Sequence, residues 1–386
     1  MMGPCILRWH TKYSNGLDSL PRKQDSLLRL NSICPYYTMF PLEFPFSRLK
    51  NATPQDWVLD PFCGRGTTNF AARLRGLPSF GIDSNNVAFA ITAAKYVNVK
   101  ADEVVALCES ILQDKSLPLD VPQDPFWELC YERSILIEIC KIREHLLASC
   151  ISESEIALRA LMLGILHGPR QKEAGYLSNQ MPRTYSSKPN YSVKYWIERN
   201  MKPPKLNLLD IVRRRAYFTF SRVPRPVPGG VFLADCRFPT LEKIGLPFNW
   251  VITSPPYFGM RNYAADQWLR NWFLGGPCIV AYDGKRQIIT EEKSKFISEL
   301  AKVWANVAKI CDPGSHLIVR FGALPSLSTN PRILLKDSLK IASCGWRVTT
   351  VKNAGFSTQG KRQAEQFGCK IGTPVNEVDL YAKLEK

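Results

Sequence analysis

Histidine is scarce in this chain: 386 residues contain four. The twelve cysteines stand singly, at 5, 34, 63, 108, 130, 140, 150, 236, 278, 311, 344 and 369, with no C-x-x-C among them. Zinc sites draw on clustered Cys and His, so no metal is assigned, and the scattered thiols read as reduced cytosolic cysteines. Long apolar runs are missing as well. The N-terminus, Met1 to His10, has no apolar core of signal-peptide length, and no stretch of about 18 apolar residues follows it. The expectation is a soluble, cytoplasmic protein with no membrane partner. Acid is the other shortage, 34 Asp and Glu against 51 Lys and Arg, a formal charge of +17. Such a surplus points to a polyanionic partner, nucleic acid before membrane surface.

What is present begins with enough apolar residue, 45%, to bury a full core. The length suits one large α/β domain with an insertion or a second small domain. The most informative block starts at Trp57-Val58-Leu59, an apolar strand that breaks into Asp60-Pro61-Phe62-Cys63-Gly64-Arg65-Gly66 and then a helix from Asn69. Gly64 and Gly66 permit a tight turn and close approach of a ligand to main-chain amides, and Thr67 and Thr68 are candidate caps for the helix. A second strand, Ser79 to Asp83, ends on an acid placed to accept hydrogen bonds from a ribose diol. Strand, glycine turn, helix, strand and terminal acid within forty residues indicate a nucleoside-containing ligand.

A second motif closes another apolar strand: Asn249-Trp250-Val251-Ile252-Thr253 runs into Ser254-Pro255-Pro256-Tyr257. Two prolines stiffen the turn and remove donors, leaving the Ser254 hydroxyl and the Ser254 and Pro255 carbonyls as acceptors beside an aromatic ring. A planar, amino-bearing ring such as a nucleobase turned out of its stack suits that arrangement. Upstream, Cys34 to Pro45 holds three prolines and four aromatics, a composition that excludes a long helix and suits a segment lying over a pocket.

Between the motifs the α/β rhythm stops. Residues 134–147 and 155–166 read as two buried helices forming an antiparallel pair, with His145 and His167 in structural roles near their ends. Residues 168–227 then carry 13 Lys and Arg against three acids, interleaved with Tyr and amides. Basic groups for phosphates, mixed with side chains able to reach base edges, fit nucleic-acid readout. Asn179, Gln180, Arg183, Arg213, Arg214 and Arg215 are its candidate contacts, joined by Lys361 and Arg362 in a polar loop near the C-terminus. The rhythm resumes with Val231 to Asp235, the strand before Ser254, a helix over 296–310, a strand at 316–321, and a closing antiparallel pair, 346–352 with 377–384. The chain accordingly divides into 1–100 (N-terminal segment and cofactor half), 101–228 (helical and basic insert, the target-recognition candidate) and 229–386 (catalytic half).

Taken together the motifs resemble the amino-group DNA methyltransferases, most closely the N4-cytosine branch of the bacterial modification enzymes, over about 33–98 and 229–384. The resemblance implies a Rossmann-like class I methyltransferase sheet, mostly parallel with one antiparallel C-terminal strand. It implies S-adenosylmethionine as cofactor, held by Asp60, Phe62, Cys63, Gly64, Gly66, Thr67 and Thr68 of the turn, by Asp83 and Ser84 at the ribose, by Asp235 and Cys236 at the adenine, and by Tyr37 and Phe40 of the N-terminal segment. Ser254, Pro255, Pro256 and Tyr257 match the catalytic S/D/N-P-P-Y/F/W motif, in which serine usually accompanies cytosine. Double-stranded DNA is then the partner, and a cognate restriction endonuclease acting separately is one the resemblance allows. The long insert falls before the Asp235 strand, a departure from the family's usual layouts.

The chemistry agrees with these residue types. An exocyclic amine on a base is a poor nucleophile, so a site must hold its hydrogens on acceptors and align it with an activated methyl, with no need of a catalytic His or Cys. An N6-adenine enzyme and an RNA base methyltransferase are the near alternatives. A Rossmann oxidoreductase leaves Ser254 to Tyr257 unexplained, and a binding protein without chemistry leaves two complete motifs unexplained.

Overall fold

A computed structural model of the chain describes residues 5–7, 16–36, 40–168, 175–181, 188–239, 242, 245–259, 263–280, 288, 292–323, 329–356 and 376–385. Its centre is an eight-stranded sheet. The strands, in chain order, are β1 (Cys5–Leu7), β2 (Val58–Asp60), β3 (Ser79–Asp83), β4 (Gly229–Leu233), β5 (Phe248–Thr253), β6 (Cys311–Ala323), β7 (Trp346–Phe356) and β8 (Asn376–Leu384), and they lie in the order β1-β4-β3-β2-β5-β6-β8-β7. The pairs from β4 through β6 are parallel; β8 runs antiparallel to β6 and to β7, and β1 runs antiparallel to β4. The expected mostly parallel sheet with its antiparallel C-terminal strand is therefore present, and β1 is an addition at the far edge that the polar N-terminal sequence did not announce.

Alternation along the central strands sends successive side chains to opposite layers. Leu59, Val251, Leu317 and Val319 meet α12 (Lys293–Lys309) and α13 (Pro331–Ala342), whereas Val58, Trp250, Ile252 and Ile318 pack with Phe44 of the short helix α1 (Glu43–Arg48) and Ala72 of α2 (Thr67–Leu74). Both faces are covered, which is why these strands read as nearly continuous apolar runs. In α12, Phe296, Leu300, Val303, Trp304 and Val307 recur at three- and four-residue spacing and form the buried stripe.

The regular elements described in the insert are all helices: α4 (Ala101–Gln113), α5 (Pro125–Cys130), α6 (Arg133–Ala148), α7 (Glu153–Ile165), α8 (Pro189–Glu198) and α9 (Leu208–Phe220). It shares one hydrophobic core with α2, with α3 (Asn86–Ala93) and with α11 (Trp268–Phe273), which follows the one-turn helix α10 (Tyr263–Asp266). The two helices expected as an antiparallel pair, α6 and α7, each pack against α4 rather than chiefly on one another. Phe126 and Trp127 of α5 meet Trp268 of α11 with ring centroids 4.8 and 5.9 Å apart, so the insert is anchored to the chain that follows the Ser254 turn. Among the described residues no helix is long and apolar enough to cross a membrane.

Candidate active site

From β2 the chain builds outward through β3 to β4, then returns to lay β5 and β6 on the other side of β2. Strand order thus reverses between β2 and β5, and in open α/β sheets such a switch point leaves a crevice at the carboxyl ends of the strands. The two sequence motifs end these two strands. Their last residues are joined directly: Thr253 Oγ1 donates to Asp60 Oδ1 at 2.6 Å. Asp60 also accepts from the Phe62 amide at 3.1 Å, and burial raises its pKa to about 6. Its carboxylate is taken up in holding the crevice together, a partnership between residues 193 positions apart that the sequence reading, which gave Asp60 to the cofactor, did not contain.

The turn after β2 is built on two left-handed glycines, Gly64 at φ 52° and Gly66 at φ 76°. A Cβ on Gly66 would come within 2.9 Å of Thr92 Oγ1 and 3.0 Å of Lys95 Cγ. Cys63 is buried, with its amide donating to the Ile82 carbonyl at 3.0 Å, and Phe62 beside it is half-buried. Neither threonine caps α2. Gly66 is the N-cap residue; Thr68 Oγ1 donates to the Ile252 carbonyl of β5, and Thr67 Oγ1 accepts from Arg65 Nε. Both hydroxyls serve the crevice wall instead, a correction to the expectation of capping.

Asp83 stands at the tip of β3, half-buried, with Ser84 half-buried next to it. Its Oδ2 accepts from the Gly64 amide and its Oδ1 from the Asn85 amide, each at 2.9 Å, so the acid fixes the glycine turn across from it. Burial holds its pKa up at about 6. Asp235, just past β4, is gripped by Arg237, whose Nε lies 3.0 Å from each carboxylate oxygen and whose Nη2 lies 2.6 Å from Oδ2; Arg237 also reaches Glu299 at 2.8 Å. Asp235, which the resemblance places at the adenine, is thus an ion-paired acid. Cys236 is buried and donates from Sγ to the Pro61 carbonyl.

Ser254 follows on β5. Its hydroxyl is buried and has no hydrogen-bond partner among the described residues, beside a buried Pro255 and a half-buried Pro256. Tyr257 does not offer an open face: it is 3% exposed, its ring sits edge-on to Phe321 at 5.9 Å, and its hydroxyl donates to Glu377 Oε1 at 2.8 Å. Burial raises the Glu377 pKa, and the tyrosine hydrogen bond opposes that rise. The stacking platform expected of Tyr257 is therefore a packed wall. Glu377, on β8, went unremarked in the sequence; the one signal for it was a pair of acids, Glu377 and Asp379, at alternate positions of an apolar strand.

Of the N-terminal segment, Tyr36 reaches the turn, its ring 3.7 Å from where a Gly64 Cβ would lie. Phe40 is buried against Phe44, 5.2 Å between centroids, within the core beneath α1. Tyr37 lies outside the described residues, as do Arg183, Lys361 and Arg362. Asn179 is corrected from base reader to brace: it is 3% exposed, donates from Nδ2 to the Leu129 carbonyl at 3.0 Å and accepts from the Gln180 amide at 2.8 Å. Gln180 is half-buried, its carbonyl accepting from Trp196 Nε1. Arg213 and Arg214 are exposed on α9, Arg213 bonded to Asp210 at 2.7 Å, while Arg215 is half-buried. His145 lies 3.5 Å from Glu155, and His167 is buried with no partner for either ring nitrogen among the described residues.

The N6_N4_Mtase family model, described as DNA methylase, matches residues 10–94, the stretch that contains the glycine turn and Asp83 and stops short of Ser254. The match supports an amino-group methyltransferase. No curated protein matches the chain. Among solved structures it is similar to the rRNA methyltransferase aviRa from Streptomyces viridochromogenes, with a TM-score of 0.36, 12% identity and 94% of each chain covered. It is also similar to TrmN from Thermus thermophilus, with a TM-score of 0.35, 11% identity, and 92% of this chain and 52% of that one covered. A geranyl diphosphate methyltransferase in complex with SAM gives a TM-score of 0.32, 8% identity, and coverage of 89% and 84%.

Proposed function

We propose that this chain is a site-specific DNA methyltransferase that uses S-adenosylmethionine to methylate the exocyclic N4 amine of cytosine, the target base being turned out of the duplex. The observation that carries the reading is the Ser254 hydroxyl, buried and without a partner among the described residues at the end of β5. Buried hydroxyls are nearly always bonded, and one left open at a sheet switch point is a group kept for a substrate.

The residues present fit the cofactor. Asp83 stands at the strand tip, where it accepts from the Gly64 and Asn85 amides, and is ionised above about pH 6, as acceptance from a ribose diol requires. Gly66 lies so close to Thr92 and Lys95 that a side chain there would collide with them, which leaves bare backbone at the turn. S-adenosylmethionine, when bound, supplies an activated methyl group. Ser254 Oγ and the Pro255 carbonyl accept the two amino hydrogens and draw the nitrogen toward sp³, and the Ser254 hydroxyl donates to the neighbouring ring nitrogen, which a carboxylate in its place would not do. The Asp60–Thr253 bond holds the two strand ends at a set separation, so the reaction gains from alignment rather than from a strong base. Tyr257, fixed by Glu377 and Phe321, walls the site.

Double-stranded DNA is the partner, met by Lys188, Lys194, Arg199, Lys202, Lys205, Arg213, Arg214 and Arg222, all exposed on or beside α8 and α9. The protein then works in the cytoplasm, on the nucleoid, and a restriction endonuclease acting separately is the partner enzyme that fits. Nucleoside mass analysis of DNA from cells expressing the chain tests the reading, with N4-methylcytosine expected. N6-methyladenine would overturn the choice of base and leave the enzyme class, whereas methylated tRNA beside unmodified DNA would overturn the DNA substrate.

A further inference from the structure

Three arginines belong to one turn and the helix behind it, and they have different surroundings. Arg73, 2% exposed, donates to four backbone carbonyls, those of Lys95 and Pro224 at 2.6 Å, Val97 at 2.9 Å and Arg225 at 3.1 Å. Arg75 donates to the carbonyls of Phe46, Leu17 and Asp18. Arg65, half-buried between Gly64 and Gly66, makes a single hydrogen bond among the described residues, from Nε to Thr67 Oγ1 at 3.3 Å, and none from its terminal nitrogens. Arginines in an interior are ordinarily paired or saturated by carbonyls, as Arg73 is.

Among the described residues no acid pairs with Arg65. Lys95 is fully buried, its stem packed on Gly66 and its Nζ donating to the Leu30 carbonyl at 2.7 Å. Burial, and after it the charge of Arg65, holds the Lys95 pKa well below the usual lysine range. The buried Cys34 thiol, raised by burial, is acted on by Arg270, Lys95, Arg215 and Arg65 and by no carboxylate. Among the described residues the bonded partners of Arg65 and Lys95 are thus a hydroxyl and a carbonyl, with no carboxylate between them. Asp83 accepts from the amide of Gly64, the residue before Arg65.

We infer that Arg65 is a ligand for the carboxylate at the amino-acid end of the cofactor, supplying the anion that its own surroundings lack. This rests on the S-adenosylmethionine reading above. A guanidinium with free terminal nitrogens matches a carboxylate in a two-point pairing, and an anion seated there relieves the repulsion between Arg65 and Lys95. The assignment makes Arg65 a specificity residue: it selects the complete amino acid over any analogue that keeps the nucleoside and the sulfur and lacks the acid.

The test is calorimetric titration with two probes, S-adenosylhomocysteine and S-adenosyl-3-thiopropylamine, the same molecule without its carboxylate. Wild type should bind the first more tightly, and Arg65→Gln should weaken it by on the order of ten- to a hundredfold, the range for a hydrogen-bonded charge, while the carboxylate-free probe binds wild type and variant alike. Retained binding of that second probe also shows that the variant is folded, and Arg65→Lys should recover part of the loss. Equal weakening of both probes by Arg65→Gln, or weakening of neither, overturns the assignment. Failure of wild type to bind either probe overturns the cofactor reading beneath it.

Discussion

The carboxyl edge of the sheet and the helical insert both bury polar groups, and they differ in where the unpartnered ones stand. At the sheet edge, among the described residues, Ser254 Oγ is buried with no partner and the terminal nitrogens of Arg65 make no hydrogen bond. In the insert Asn179 bonds Leu129 and Gln180, Tyr131 donates to the Leu166 carbonyl, and Arg143 donates to the Trp272 carbonyl. These insert residues close the fold, and among the described residues the insert also holds unpartnered buried groups, His167, Ser192 Oγ, Arg159 Nε and Trp127 Nε1; Ser254 Oγ differs from them in standing at the sheet switch point. Composition does not separate the two cases; geometry does.

The largest way to break this contrast is to fill the turn. Gly66→Val places a Cβ within 3.0 Å of Thr92 and Lys95 at a φ of 76°, and should abolish cofactor binding in a titration. Ser254→Ala should lower turnover by on the order of a hundredfold or more, the scale of one lost transition-state hydrogen bond, with a melting temperature unchanged or raised, because a buried unpaired hydroxyl disappears. Asn179→Ala should do the reverse, destabilising by roughly 1–3 kcal/mol in a denaturant titration and leaving DNA sequence preference intact. Tyr257→Phe sits between them: it strips Glu377 of its donor, and should cost about 1–3 kcal/mol of stability while cofactor affinity stays nearly constant.

A smaller effect concerns pH. Asp60 titrates near 6 in the fold against 3.8 unfolded, so the native state binds the proton more readily and this acid's contribution to stability falls as pH rises from about 4 to about 6. Unfolding midpoints of the cofactor-free protein at pH 5 and pH 7.5 should differ less in Asp60→Asn than in wild type. Neutralising Arg213 and Arg214 is the mildest change, expected to flatten the salt dependence of DNA binding by about two counterions with little loss of cofactor affinity.

Much of the edge was legible in the sequence because short-range backbone rules write it: two glycines with positive φ, two prolines after an apolar strand, an acid closing the next strand. What was not legible depended on distant partners. Tyr257 was read as an open ring because Glu377, 120 residues away, is what holds it inward. Asp60 was given to the cofactor because Thr253 lies on another strand. Asn179 was read as a DNA contact because an amide in a basic segment has the same composition whether it faces a base or the Leu129 carbonyl. The order β4-β3-β2-β5-β6 follows from none of the local patterns and had to be observed.

The central claim is that the Ser254 hydroxyl is held open for an amine on a DNA base. Purified wild type and Ser254→Ala, each incubated with isotopically labelled S-adenosylmethionine and duplex DNA and followed by nucleoside mass analysis, test it directly. Labelled N4-methylcytosine from wild type, with little from a variant that still binds cofactor and DNA, is the result expected. Equal labelling by both proteins, or no labelled DNA nucleoside from wild type, would contradict it.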